Sequence, residues 1–354
     1  MRIFNLFFVF LLSTWSVAQT KNVSDSTLIA MEKADQAFVM LDQGREKLPQ
    51  AIALMKEAVA WQPTRFEYAF QLGFFYFQGE NYIEASQQLE KLLDHPEVTA
   101  QCYQLLGNVC FLLKDPTKGL RIFDLGLSKF PKSGLLYAEK GKYFRDKDEG
   151  QSLFYFEKGI ELDPNFAMNY YHAAELYFGQ AESVKAILHG EIFMLLDRTS
   201  SYTIAMSELL YGAYRKNIKV TVDGRLQTFF CSQSKSDDII ELSGTKVHPP
   251  FCVAYASMIN ESGFNYSVLS ISNLAKLREQ VLELYFQYQF DGQYQEWAFD
   301  FQRYIQRAGH LEAYNHWLLM GGNELEFLQW KENNEDKWLA FTKWFAQHDM
   351  AIPE

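Results

Sequence analysis

The residues able to do chemistry in this 354-residue chain are few, and their spacing suits no familiar reaction. Ser243-Gly244-Thr245-Lys246 ends like a phosphate-binding loop but lacks the upstream glycine and strand that would cradle an anion. His310 and His316 stand six apart, which on one helix points them to opposite sides, and no H-E-x-x-H pairing occurs. His189 and Glu191, two apart, also face away from each other on a helix. No G-x-S-x-G turn or Cys/His nucleophile context is present. The acidic pairs Asp237-Asp238 and Glu335-Asp336 lie in polar runs and read as solvated surface. Of the cysteines, Cys102 and Cys110 are eight apart on one predicted helix. That separation is about 12 Å, beyond the roughly 7 Å that a disulfide spans. Cys231 and Cys252 flank an irregular segment and are the pair able to close it. These features predict a chain that is not an enzyme and carries no metal or cofactor.

What positions such residues is a protein with a large apolar interior. Hydrophobic residues make up 48% of the chain and aromatics 16%, which excludes a disordered or fibrous polymer. The formal net charge is -11, so the basic footprint needed to hold a nucleic acid is missing. Residues 1–18 open with Met1-Arg2, continue through the apolar run Ile3 to Leu12, and end with small residues at Ser16 and Ala18. This is the layout of a secretory signal cleaved after Ala18. A membrane span needs about 20 apolar residues, twice the length of this run, and no comparable stretch follows. The expectation is an exported chain, periplasmic or secreted, with no transmembrane span.

Sliding the sequence against itself gives the strongest signal. Gly73, Gly107 and Gly141 recur at intervals of 34, with Leu72 and Leu106 before the first two. Ala51 and Ala85 keep the same interval, as do Met55, Leu89 and Phe123, and Ala58, Leu92 and Gly126. Phe156, Gly159 and Pro164 arrive one residue early, as a single deletion before Ser152 would cause. Gly in a helix interior costs about 1 kcal/mol, so evenly spaced copies imply that each one lets two helices approach closely.

With Tyr76, Tyr103, Tyr137 and the closing Pro131 and Pro164, the pattern resembles the tetratricopeptide repeat, a helix-turn-helix unit. The resemblance covers about residues 27–200 as roughly five repeats. It implies an all-α fold, a right-handed superhelical stack of helical hairpins. Beyond it, residues 201–250 read as one helix (Ile204, Leu209, Leu210 and Ala213 on one side) and a connector. In the connector Ile218, Val220 and Val222 alternate before an Asp223-Gly224 turn and Leu226 to Phe230, a short β-hairpin. Residues 251–354 return to helical spacing and form a capping region. There Ile271, Leu274, Leu277, Val281, Leu284 and Tyr285 share a face behind Ser270 and Ser272 as caps, and Asp291-Gly292, Gly309 and Gly321-Gly322 mark helix ends. Gly309 to Asn315 with Trp317-Leu318, and later Phe341 and Trp344-Phe345, resemble the C-terminal region of tetratricopeptide proteins exported by Bacteroidota.

In that family the first helix of each hairpin lines a concave groove that takes a peptide or partner helix. Carried over residue by residue, the groove would present Gln71, Phe74, Phe77 and Gln78, then Gln104, Leu105, Asn108 and Phe111. Next would come Glu139, Lys142 and Arg145, and then Tyr171, His172, Glu175 and Phe178. Members that clamp a terminal carboxylate use a Lys/Asn/Arg set; only Asn108 matches it here, and Gln104 stands where its neighbouring Lys would be. The resemblance thus implies a scaffold for a protein or peptide partner. A glycan ligand is the alternative, because the chain is rich in Trp and Tyr and helical-repeat scaffolds in exported systems also carry saccharide sites.

Overall fold

The computed structural model describes residues 25–222, 225–231, 249–263 and 267–353. The expected signal at 1–18, the Asp223-Gly224 turn, the Asp237-Asp238 pair and the Ser243–Lys246 run lie outside the described residues. Two compact units divide the chain at Pro116.

The first unit holds α1 (Asp25–Asp42), α2 (Leu48–Trp61), α3 (Phe66–Gln78), α4 (Tyr82–Glu90) and α5 (Ala100–Leu112). Helices α1 and α2 form one antiparallel hairpin, and α3 and α4 the next. Burial of Phe66, Ala69, Phe70, Leu72, Gly73 and Phe75 follows the helical period along α3. Gly73 sits against the second helix of its hairpin so closely that a Cβ there would lie 2.7 Å from a Leu89 methyl carbon.

The second unit begins in α6 (Pro116–Lys129) and continues through α7 (Gly134–Phe144), α8 (Glu149–Leu162), α9 (Ala167–Gly179) and α10 (Ser183–Leu196). Helices α7/α8 and α9/α10 are hairpins of the same kind. Ser133 and Asp148 cap α7 and α8 by accepting from the Leu136 and Gln151 amides. A Cβ on Gly141 would fall 2.3 Å from the Phe156 ring, so the glycine interval marks close helix approach here too. Three turns between helices contain a left-handed residue that is not glycine: Glu80, Lys114 and Ala181, at φ of 59°, 63° and 61°. The first two are one repeat length apart, a periodic feature with no residue-type signature.

Helix α11 (Tyr202–Asn217) packs on α10 at Gly190, where a Cβ would meet Met206 at 2.7 Å. The small residue at this position thus admits the next helix. The buried side of α11 is Thr203, Met206, Ser207, Leu210, Tyr211 and Tyr214; Ile204, expected among them, faces solvent. Strands β1 (Ile218–Val220) and β2 (Leu226–Thr228) pair antiparallel with Ile218 opposite Thr228. Cys231 is bridged to Cys252, tying the end of the hairpin to α12 (Phe251–Glu261).

The remaining helices are α13 (Ile271–Gln287), α14 (Asp291–Tyr294), α15 (Trp297–Arg307), α16 (Leu311–Leu318), α17 (Glu324–Asn333) and α18 (Glu335–Gln347). Ser270 caps α13 through the Asn273 amide, whereas Ser272 lies inside the helix and meets His316. One expected helix stop is corrected. The α13 helix ends before left-handed Gln289, and Asp291-Gly292 starts a new helical turn. Gly321 and Gly322 do follow the end of α16, in the turn before α17, and they also approach α11 closely, where a Cβ on Gly322 would be 2.0 Å from the Tyr211 ring. The last residues return to the array within this unit. Asn165 exchanges two hydrogen bonds with the Ile352 backbone, and Arg198 donates to the carbonyls of Phe345 and His348.

The fold is therefore all-α, a stack of tetratricopeptide-type helix-turn-helix repeats followed by a mostly helical C-terminal region with one short hairpin. Among the described residues no helix is long and apolar enough to cross a membrane.

Candidate functional site

Three arrangements stand out: half-buried side chains on the first helices of the first unit, a charged set on those of the second unit, and a polar cluster sealed inside the second unit. On α3 of the first unit, Gln71, Phe74 and Phe77 are half-buried and Gln78 is exposed. The Phe74 and Phe77 rings lie 6.5 Å apart and nearly parallel. On α5, Gln104, Asn108 and Phe111 are half-buried, while Leu105 is buried and belongs to the packing instead.

In the second unit the residues expected on α7 and α9 meet through charge. The Arg145 guanidinium bonds Glu175 Oε2 at 2.8 Å, and His172 Nδ1 is 3.2 Å from the same oxygen. Lys142 holds the buried Glu139 at 2.5 Å. Burial works to raise the Glu175 carboxyl, but hydrogen bonds from His172 and Arg145 prevail and hold it below the usual carboxylate range. Burial pushes His172 the other way, below the ordinary imidazole value, against the pull of Glu175. Two expected groove residues are corrected here. Tyr171 is wedged among His172, Phe193 and Tyr202, and His172 stacks on Phe156, so both rings are in the core and unavailable to a partner. Phe178 stays half-buried beneath the Lys216 ammonium, 5.0 Å from the ring centre. Arg145, Lys142 and Glu175 are thus the reachable members.

The sealed cluster centres on Glu191 of α10, which is 0% exposed. One carboxylate oxygen accepts from Arg278 Nη2 at 2.6 Å and from Tyr314 at 2.7 Å; the other accepts from Gln302 at 3.1 Å. Arg278 also donates through Nε to Asn315 at 2.7 Å and through Nη1 to the Tyr214 hydroxyl at 2.6 Å, which pairs with Tyr255. Burial alone would lower the Arg278 value; the adjoining Glu191 charge overrides it and holds the guanidinium well above its ordinary range. Burial raises the Tyr214, Tyr255 and Tyr314 hydroxyls, so they remain neutral donors. The cluster joins α10, α11, α12, α13, α15 and α16. It has no exposed member and fastens the last hairpin to the C-terminal helices. Sequence spacing gave His189 and Glu191 opposite directions, which is correct, but gave no sign of this partner set.

The remaining histidines of the second unit have structural partners. His316 stacks on Trp330 at 4.0 Å and bonds Ser272 and the Glu312 carbonyl. His310 lies against Trp344. His189 meets Glu157 at 3.0 Å. Cys102 is buried on α5, where desolvation pushes its thiol up to about 12, far from a reactive thiolate. Among the described residues no group of three or more His, Cys, Asp or Glu is arranged to hold a metal ion.

A pH dependence follows for the second unit. His172 and His316 are both held below the unfolded imidazole value of about 6.5. Their contribution to stability is complete above that value and is lost as pH falls through the lower folded values. The thermal midpoint should therefore drop between pH 7.5 and pH 5, and His172→Gln with His316→Gln should flatten the slope.

No protein-family profile matches the chain, and no curated protein matches it. Among solved structures, similarity is found to MamA (residues 41-end) from Desulfovibrio magneticus RS-1, at 18% identity and a TM-score of 0.37, covering 50% of this chain and 98% of that one. Pseudomonas aeruginosa PilF is similar at 15% identity and a TM-score of 0.43, with 55% and 86% covered. YrrB, described as a TPR protein with an unusual peptide-binding site, is similar at 19% identity and a TM-score of 0.34, with 52% and 92% covered. The class assigned here, a tetratricopeptide-type helical repeat, rests on the hairpins and their 34-residue glycine interval.

Proposed function

We propose that this chain is an exported, non-enzymatic interaction protein that holds an extended segment of a partner protein against the first helices of its repeats. One observation carries the reading: aromatic, amide and charged side chains are left half-buried there. In the first unit these are Gln71, Phe74, Phe77, Gln104, Asn108 and Phe111. In the second unit they are Lys142, Arg145 and Glu175. Amides satisfy the backbone of an extended chain while half-exposed phenylalanines anchor its apolar side chains. The function needs no cofactor.

Export rests on the sequence of residues 1–18 and agrees with the Cys231–Cys252 bridge, since disulfides persist in oxidising compartments. For the saccharide alternative, Trp317 and Trp330 are buried in the C-terminal core, which leaves the exposed rings of Trp61 and Trp297 as the surfaces a sugar could stack on. Affinity capture from an envelope fraction with mass spectrometry tests the reading. Phe74→Glu with Phe111→Glu, and separately Arg145→Glu, should cut capture of a specific protein at least tenfold with the helical circular-dichroism signal intact. Equal capture by all three proteins would remove the site from the first helices.

A further inference from the structure

Helix α1 carries apolar residues on two sides. Ala30, Ala34 and Ala37 face inward and are buried. Leu28, Met31 and Val39 are 48%, 50% and 53% exposed, and with Met40 they line a shallow depression of about 340 Å³. Positions 28, 31, 35 and 39 recur at helical spacing and form one stripe. On this solvent-facing side the apolar residues alternate with Glu32, Asp35 and Gln36. In a repeat stack an apolar stripe of this kind is covered by a neighbouring helix.

The carboxylates within the stripe define that neighbour. Glu32 and Asp35 line the depression together with Gln36. Lys33 of the same helix pairs with Glu57 at 2.7 Å, and neither Glu32 nor Asp35 has a salt-bridge partner among the described residues. A second copy of the chain is a poor occupant. A two-fold interface would set this acidic stripe against itself, and each copy carries a formal charge of -11.

We propose that the α1 stripe receives one amphipathic helix of a partner protein, with an apolar strip flanked by Lys or Arg. This surface is separate from the first-helix side chains assigned to the extended segment. The test uses the full mature chain and two labelled synthetic helical peptides with the same leucine strip, one flanked by Lys and one by Glu, followed by fluorescence anisotropy. The Lys peptide should bind and the Glu peptide should not. Met31→Ser with Val39→Ser should weaken binding at least tenfold, and Glu32→Gln with Asp35→Asn should weaken it several-fold and reduce its salt dependence. No binding of the Lys peptide, equal binding of both peptides, or binding unchanged in both variants would overturn the proposal. So would concentration-dependent dimerisation of the wild type that Met31→Ser with Val39→Ser abolishes, since the stripe would then belong to a second copy.

Discussion

Arg278→Ala should destabilise the second unit by about 3–5 kcal/mol, the cost of removing one partner from a buried ion pair and leaving the other charge uncompensated. Glu191 would then keep only Tyr314 and Gln302 as donors, and the Tyr214 and Asn315 groups that now face the guanidinium would lose it. The loss should fall on the second unit, because every member of the cluster lies between α10 and α16. Chemical denaturation followed by circular dichroism reads the loss. A double-mutant cycle separates a specific network from mere volume. Arg278→Met should be strongly destabilising alone and much less so when combined with Glu191→Leu, because the pair is then replaced by apolar groups rather than broken. Additive losses in that cycle would mean that Glu191 and Arg278 do not depend on each other.

Gly141→Val should be nearly as damaging, at about 3 kcal/mol or more, through overpacking against a ring that has nowhere to go. Phe156 is fully buried, and an added Cβ would already lie 2.3 Å from its edge before the valine methyls are counted. Gly141→Ala gives the decisive comparison, because the two governing effects have opposite signs. Intrinsic helix propensity alone would make alanine more stable by about 1 kcal/mol. Close helix packing makes it less stable, by about 1–3 kcal/mol. The structure predicts destabilisation, and relief when Phe156→Leu is added to Gly141→Ala. A stabilised Gly141→Ala protein would show that α7 and α8 are not in close approach, and the physical meaning given to the 34-residue glycine interval would fail with it.

Those two substitutions also show which parts of the molecule could be read in advance. Gly141 and Phe156 are close in sequence, and their relation repeats, so the hairpin contact leaves a periodic trace in the residues. Glu191 and Arg278 are 87 residues apart and occur once. Their only local trace is a charge set on an apolar side: Arg278 lies among Leu274, Ala275, Leu277, Val281 and Leu282, and Glu191 adjoins Ile192, Phe193 and Met194. Such a break in pattern signals a buried partner without naming it. The groove carry-over failed at Leu105, Tyr171 and His172 for a related reason. Their positions on the first helices follow from the repeat, but burial is set by the surroundings: Phe193 and Tyr202 of later helices cover Tyr171, and Phe156 of the preceding helix covers His172. The helix stops at Glu80, Lys114, Ala181 and Gln289 were also hidden, because each places an ordinary side chain in a left-handed conformation usually given to glycine.

The central claim, that a partner lies along the first helices, is tested most directly by site-specific photocrosslinking in the producing cell. A photoreactive phenylalanine analogue in place of Phe74 on α3 would stand on the proposed surface. The same analogue in place of Ile83, an exposed residue on the second helix α4, would stand on the control surface. The structure predicts a discrete crosslinked protein from position 74 and none from position 83. Crosslinks from position 83 alone, or the same adduct from both, would place the partner elsewhere and contradict the assignment.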